Sequence, residues 1–116
     1  MSHRPIRLLV ADIIEAIERI ERYVAGMNRD GFLADEKTID AVVRNLEIIG
    51  EASNRLPHSF QAQHPEIEWR RIVGLRNRIV HDYFGLDLEI IWEILQHELH
   101  VLKAKLSAIR DAGEQS

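Results

Sequence analysis

Apolar residues recur along this chain at intervals of three and four, almost from one end to the other. In the first such stretch Ile6, Val10, Ile13, Ile17, Ile20 and Val24 share a face, with Asp12, Glu15, Glu18, Arg19 and Arg22 on other faces. That is the pattern of an amphipathic helix. Gly26 and the run Asn28-Arg29-Asp30-Gly31 end it. Asp35 predicts the N-cap of a second helix, and Glu36 suits the positive end of its dipole. This helix carries Ile39, Val42, Leu46, Ile49 and Leu56 and stops at Pro57. Residues 57–65 read as a connection, with His58 and His64 as loop residues. A third helix spans about Ile67 to Val80. Gly85 breaks the chain, Asp87 caps, and a fourth helix carries Ile91, Leu95, Leu99, Leu102, Leu106 and Ile109. The tail, residues 111–116, reads as frayed. No stretch alternates with period two, so the predicted fold is all-α, a bundle of four or five helices with short connections.

Two features of this pattern bear on association. Gly50 lies inside the second helix, where glycine costs roughly 1 kcal/mol relative to alanine. Either another helix or another subunit approaches closely there, or the glycine is a small packing accommodation within one subunit. The neighbouring apolar pairs Ile13-Ile14, Val42-Val43, Ile48-Ile49 and the run Ile90-Ile91-Trp92 widen the apolar faces, because adjacent residues point about 100° apart. A small bundle with surplus apolar surface is expected to form a homodimer.

With 116 residues, the chain reads as one helical domain over residues 1–116 with a single core. Its hydrophobic share of 46% and charged share of 29% are those of an ordinary globular protein. The absence of cysteine rules out disulfides and thiolate metal sites. No apolar run approaches the roughly 20 residues of a membrane span, and residues 1–7 hold no apolar signal region, so the expected setting is cytoplasmic with no membrane partner. The net charge of −4 argues against bulk attraction to nucleic acid, so contact with RNA has to rest on a local basic patch.

Such a patch exists. Arg70, Arg71, Arg76 and Arg78 fall in a stretch without acids, and Arg76-Asn77-Arg78-Ile79-Val80-His81-Asp82-Tyr83 adds an imidazole and a phenol. Guanidinium grips phosphate oxygens with a rigid fork of donors. Histidine ordinarily titrates where proton transfer near neutral pH is efficient. Arg76 and His81 nevertheless point about 140° apart on a straight helix. They converge within one subunit only if the helix unwinds near Val80; otherwise two copies of the motif have to meet at a dimer axis. Asn77 and His81 share a face, so Asn77 is placed to orient the imidazole or touch a ligand. A plainer account also fits: a terminal-turn histidine favours the helix dipole, and surface arginines are commonly just solvated. Trp69, Tyr83 and Phe84 carry rings able to stack on bases, but core packing is the preferred reading for Trp69 and Phe84. Glu93, His97 and His100 have metal-like spacing but read as a solvated surface. There is no glycine-rich phosphate loop and no nucleophile elbow.

Arg76-x4-His81-x-Tyr83 resembles the signature of HepT-like proteins, the toxin half of HepT/MntA toxin–antitoxin pairs in the HEPN superfamily. The resemblance extends through Asp40 to Ala52 and through Trp69 to Asn77. It implies a HEPN-like helical bundle forming a homodimer with the two motifs facing across a cleft. It further implies metal-independent endoribonuclease activity, with Arg76 and His81 as the catalytic pair. The basic patch and the shared helical face add Arg70, Arg71, Arg78 and Asn77 as expected supporting residues, and no cofactor is expected. The implied partner, besides the RNA substrate, is a cognate MntA-type nucleotidyltransferase antitoxin that transfers AMP to Tyr83. The alternative is a non-catalytic HEPN module that binds a nucleotide or docks the nucleotidyltransferase.

Overall fold

Seven helices and one short 3-10 turn make up residues 4–115, those that the computed structural model of the chain describes. Helix α1, Ile6–Val24, buries Ile13, Ile17 and Ile20. It ends where Gly26 adopts φ +78°, a left-handed conformation that glycine takes without a Cβ penalty. Helix α3, Glu36–Arg55, begins as expected at Asp35, whose Oδ1 accepts from the Thr38 N–H at 3.1 Å. Helix α5 spans Trp69–His81. Helix α6, Leu88–His97, starts at Asp87, whose Oδ1 accepts from the N–H groups of Glu89 and Ile90 at 3.0 and 3.3 Å. Helix α7 spans Leu99–Gln115. It therefore continues through residues 111–115 of the tail expected to fray, and Ser116 lies outside the described residues.

Three local readings of the sequence are corrected. The turn-like run after Gly26 contains helix α2, Arg29–Ala34, because Asn28 acts as an N-cap and accepts from the Gly31 N–H at 2.7 Å. Asparagine favours turns and helix starts for the same hydrogen-bonding reason, so the sequence alone leaves the choice open. Burial of Phe32, 5.2 Å from the Trp92 ring, decides it. The connection at 57–65 contains helix α4, His58–Gln63, so His58 opens a helix. There the Gln61 amide donates to the Ser53 and Leu56 carbonyls at the end of α3, and Phe60 packs against His64 and Trp69. The expected fourth helix is two, joined at Glu98. α6 packs on α2 and α7 while α7 packs on α1, and the bend lets the chain change partners.

The long helices α1, α3, α5, α6 and α7 form the expected bundle, with α3 between α1 and α5. That placement absorbs much of the broad apolar faces inside the chain: Ile13, Ile14, Val42, Val43, Ile91 and Trp92 are all buried. The apolar side chains left outside include Val80, Tyr83, Phe84 and Ile90, around the end of α5 and the start of α6.

Gly50 is explained by α5. A Cβ at this position would overlap the Cβ of Arg76 and lie 2.9 Å from its Cγ and 3.2 Å from the Ile72 carbonyl oxygen. The close neighbour is thus another helix of the same chain, and only hydrogen at position 50 lets the two backbones approach so nearly. The overlapping atom sits at the root of the arginine side chain and cannot swing away. Gly50→Ala is therefore expected to lower stability by about 1–3 kcal/mol through overpacking, despite the gain in helix propensity. Thermal or denaturant unfolding measures this, and an unchanged midpoint would contradict the close crossing.

Candidate active site

Arg76 lies past the middle of α5, with its stem seated on Gly50. Its guanidinium is held twice: Nη2 meets Glu51 Oε2 at 2.7 Å, and Nη1 donates to Asn77 Oδ1 at 2.9 Å. Nε is buried without a partner in the protein, and 27% of the side chain reaches solvent. The donor set is fixed in orientation yet partly accessible, an arrangement able to contact one phosphate group at the surface.

His81 is the last residue of α5 and is exposed. The helix does not unwind before it, since the Asp82 N–H still donates to the Arg78 carbonyl at 2.8 Å. Of the two ways for Arg76 and His81 to share a site, convergence by unwinding within one chain is therefore absent. Asn77 is engaged by Arg76. After His81 the chain folds into the 3-10 turn Tyr83–Gly85. Gly85 lies against the Asp82 carboxylate, whose Cγ would be 2.6 Å from a Cβ there.

The Tyr83 hydroxyl donates to Asp40 Oδ1 on α3. This hydrogen bond, then partial burial, then the charges of Asp40 and Glu36, push the phenol up to about 12. Tyr83 nonetheless remains 38% exposed, with its ring 5.5 Å from Phe84 in an edge-on arrangement. Phe84 itself is 100% exposed. The expectation that it packs in the core is overturned, because the 3-10 turn carries it beyond the bundle. Trp69 fulfils the same expectation: it is buried, and its indole N–H donates to the His64 carbonyl at 3.0 Å.

The arginines divide between two faces. Arg71 pairs with Glu98 at 2.8 Å and Glu68 at 3.3 Å. With Arg78 it lines an apolar groove of about 540 Å³ between α5 and the α6–α7 joint, walled by Leu75, Ile90 and Ile94. Arg76 faces α3 instead. Arg70 is exposed, and neither it nor Arg78 forms an ion pair among the described residues. Of the four arginines, Arg71 and Arg76 are thus answered by acids, while Arg70 and Arg78, among the described residues, are not.

Sequence reasoning missed Asp40 and Glu51. They lie three helical turns apart on one face of α3, each holding one end of the motif on the antiparallel α5. Their spacing was visible, but not which helix they faced. Glu93 and His97 pair at 3.2 Å on α6, and His100 lies beyond the joint on α7. No group of three or more acidic, histidine or cysteine side chains suited to a metal occurs among the described residues. No helix among them is long and apolar enough to cross a membrane.

The fold and motif define an all-helical protein with an Arg-x4-His-x-Tyr site at the end of one helix. A model of the family described as ribonuclease HepT-like matches residues 13–109, and the chain belongs to that family. It is 43% identical over 99 residues to "Probable ribonuclease HepT" of Thermococcus cleftensis, covering 85% of this chain and 90% of that one. It is 40% identical over 95 residues to "Putative RNase MJ0127" of Methanocaldococcus jannaschii, covering 82% and 78%. No solved structure matches the chain.

The Tyr83–Asp40 contact has a measurable consequence. Because the folded-state value is raised, its contribution to stability is present below pH 10, the ordinary phenol value, and is lost as pH rises towards 12. Absorbance titration of a Tyr23→Phe variant should show tyrosinate forming near the upper value. Adding Asp40→Asn should return the transition towards 10, and no movement would dismiss Asp40 as the cause.

Proposed function

We propose that this chain is the toxin of a type VII toxin–antitoxin pair, a metal-independent endoribonuclease acting as a homodimer. The observation that carries this reading is the geometry of α5. Arg76 is anchored against α3, while His81 stands exposed at the helix end, about 140° around the axis. One chain holds both groups without bringing them together, so a shared cleft needs a second copy. The exposed Val80, Phe84 and Ile90 beside the motif supply apolar surface for that contact. The names of the relatives support RNA as substrate.

In this mechanism one His81 takes the proton of a ribose 2′-hydroxyl as its oxygen attacks the adjacent phosphorus. The P–O5′ bond breaks, and the partner subunit's His81 gives a proton to the departing oxygen. Arg76 orients the phosphate and stabilises charge on its non-bridging oxygens. Arg70 and Arg78 offer further cations, while Asn77 and Arg71 act through their contacts with Arg76 and Glu98. The products are a 2′,3′-cyclic phosphate and a 5′-hydroxyl, and DNA, lacking the attacking hydroxyl, is not cut. The domain works in the cytoplasm beside a nucleotidyltransferase of the MntA type. That partner directs the Tyr83 oxygen at the α-phosphorus of ATP: the O–P bond forms, pyrophosphate leaves, and the phenol proton is lost. The added adenylyl group carries negative charge and bulk into the place of the substrate phosphate.

Purified protein incubated with RNA and EDTA should yield fragments ending in cyclic phosphate. Arg76→Ala and His81→Ala should each lower the rate at least about 10²-fold with circular dichroism unchanged, and light scattering should give twice the chain mass. Loss of activity in EDTA would indicate a metal, whereas RNA bound but never cut would indicate the non-catalytic module. After incubation with the cognate nucleotidyltransferase and ATP, mass spectrometry should find AMP on wild type and none on Tyr83→Phe. Adenylylation at Tyr23 would refute this control while leaving the nuclease reading intact.

A further inference from the structure

We infer that Glu51 is a positioning residue, which clamps the Arg76 guanidinium so that its uncommitted N–H donors are presented to a phosphate. The inference rests on Arg76 as the phosphate-binding group of an RNA-cleaving site. Arg76 is restrained at both ends. Its stem is fixed where α5 crosses Gly50, and its tip is fixed by Glu51 at 2.7 Å and Asn77 at 2.9 Å. The adjacent residues Gly50 and Glu51 therefore act together, one admitting the side chain and the other orienting it.

The donors can be counted. A guanidinium carries five N–H bonds. Nε is buried, one Nη2 donor is directed at Glu51, and one Nη1 donor at Asn77. One N–H on each terminal nitrogen is left for a ligand.

The carboxylate also carries a penalty for binding. It offsets the positive charge that would attract phosphate, so a site selected for affinity alone would do better without it. Its benefit has to be geometric, since a loosely held arginine samples many rotamers whereas a fixed one stabilises the transition state without reorganising. A stabilising role is a poor rival account. Glu51 is 47% exposed, and ion pairs so open to water contribute little to folding.

Steady-state cleavage of an RNA oligonucleotide separates these roles. Glu51→Ala should lower kcat by about 10²-fold, the loss that follows a misplacement of roughly 1 Å, while KM stays level or falls because a competing anion has gone. Glu51→Gln should recover most of that loss, since its amide oxygen still accepts from Nη2. An unchanged or increased kcat in Glu51→Ala would overturn the inference, as would a glutamine variant no better than alanine. A second measurement does not depend on activity. The Arg76 Nε–H order parameter from nitrogen-15 relaxation should be high in wild type and in Glu51→Gln, and should drop in Glu51→Ala. If wild type fails to cut RNA, the nuclease reading falls and relaxation alone decides whether Glu51 fixes Arg76; equal order in all three proteins would dismiss the clamp.

Discussion

The close crossing of α3 and α5 at Gly50 is the constraint on which the site depends. Helix axes ordinarily stay 8–10 Å apart because side chains separate them. Glycine removes that spacer at one point, and the stem of Arg76 occupies the space. From there the antiparallel course of the two helices sets the rest. Glu51, next to the glycine, meets the guanidinium; three turns back along α3, Asp40 meets Tyr83 beyond the end of α5. A shift of either helix would break both contacts together, so packing and site geometry are one problem here.

Electrostatics follow the same division. In sequence the arginines of α5 form a basic run free of acids. In space Arg71 is answered by Glu68 and Glu98, and Arg76 by Glu51. The folded site is therefore less positive than the sequence suggests, in a chain whose net charge is −4. Such a surface suits orientation of one phosphate better than general adhesion to nucleic acid, whose strength grows with the number of phosphates neutralised. Tyr83 experiences the opposite environment. Its hydrogen bond to Asp40, its partial burial and the charges of Asp40 and Glu36 push the phenol up to about 12.

The elements most legible in the sequence are those with strong periodicity and an unambiguous cap. α1, α3 and α5 fall close to their expected limits, and Asp35 and Asp87 cap as read. The short helices α2 and α4 were not legible. Six residues carry too little periodicity, and their stability comes from Phe32 on Trp92 and from Gln61 closing the carbonyls of α3. The bend at Glu98 is similar, because nothing local distinguishes a bent helix from a straight one when the cause is a change of packing partner. Trp69 and Phe84 are both aromatic and both flank the motif, yet one is buried and the other fully exposed. Only the direction in which the 3-10 turn leaves α5 separates them.

The sequence by itself determined the helical class, the main caps, and the placing of Arg76, His81 and Tyr83 within one helix and the turn after it. These are local matters, governed by backbone preference and by the 3.6-residue repeat. Tertiary structure decided which groups the motif meets. It chose Glu51 for Arg76 and Asp40 for Tyr83, committed Arg71 to Glu98, and kept α5 helical through His81. Those pairings join residues distant along the chain, and their partners are selected by how closely two helices approach. That distance is set by the absence of a single Cβ at Gly50, whose effect is visible only once the opposing helix is in place.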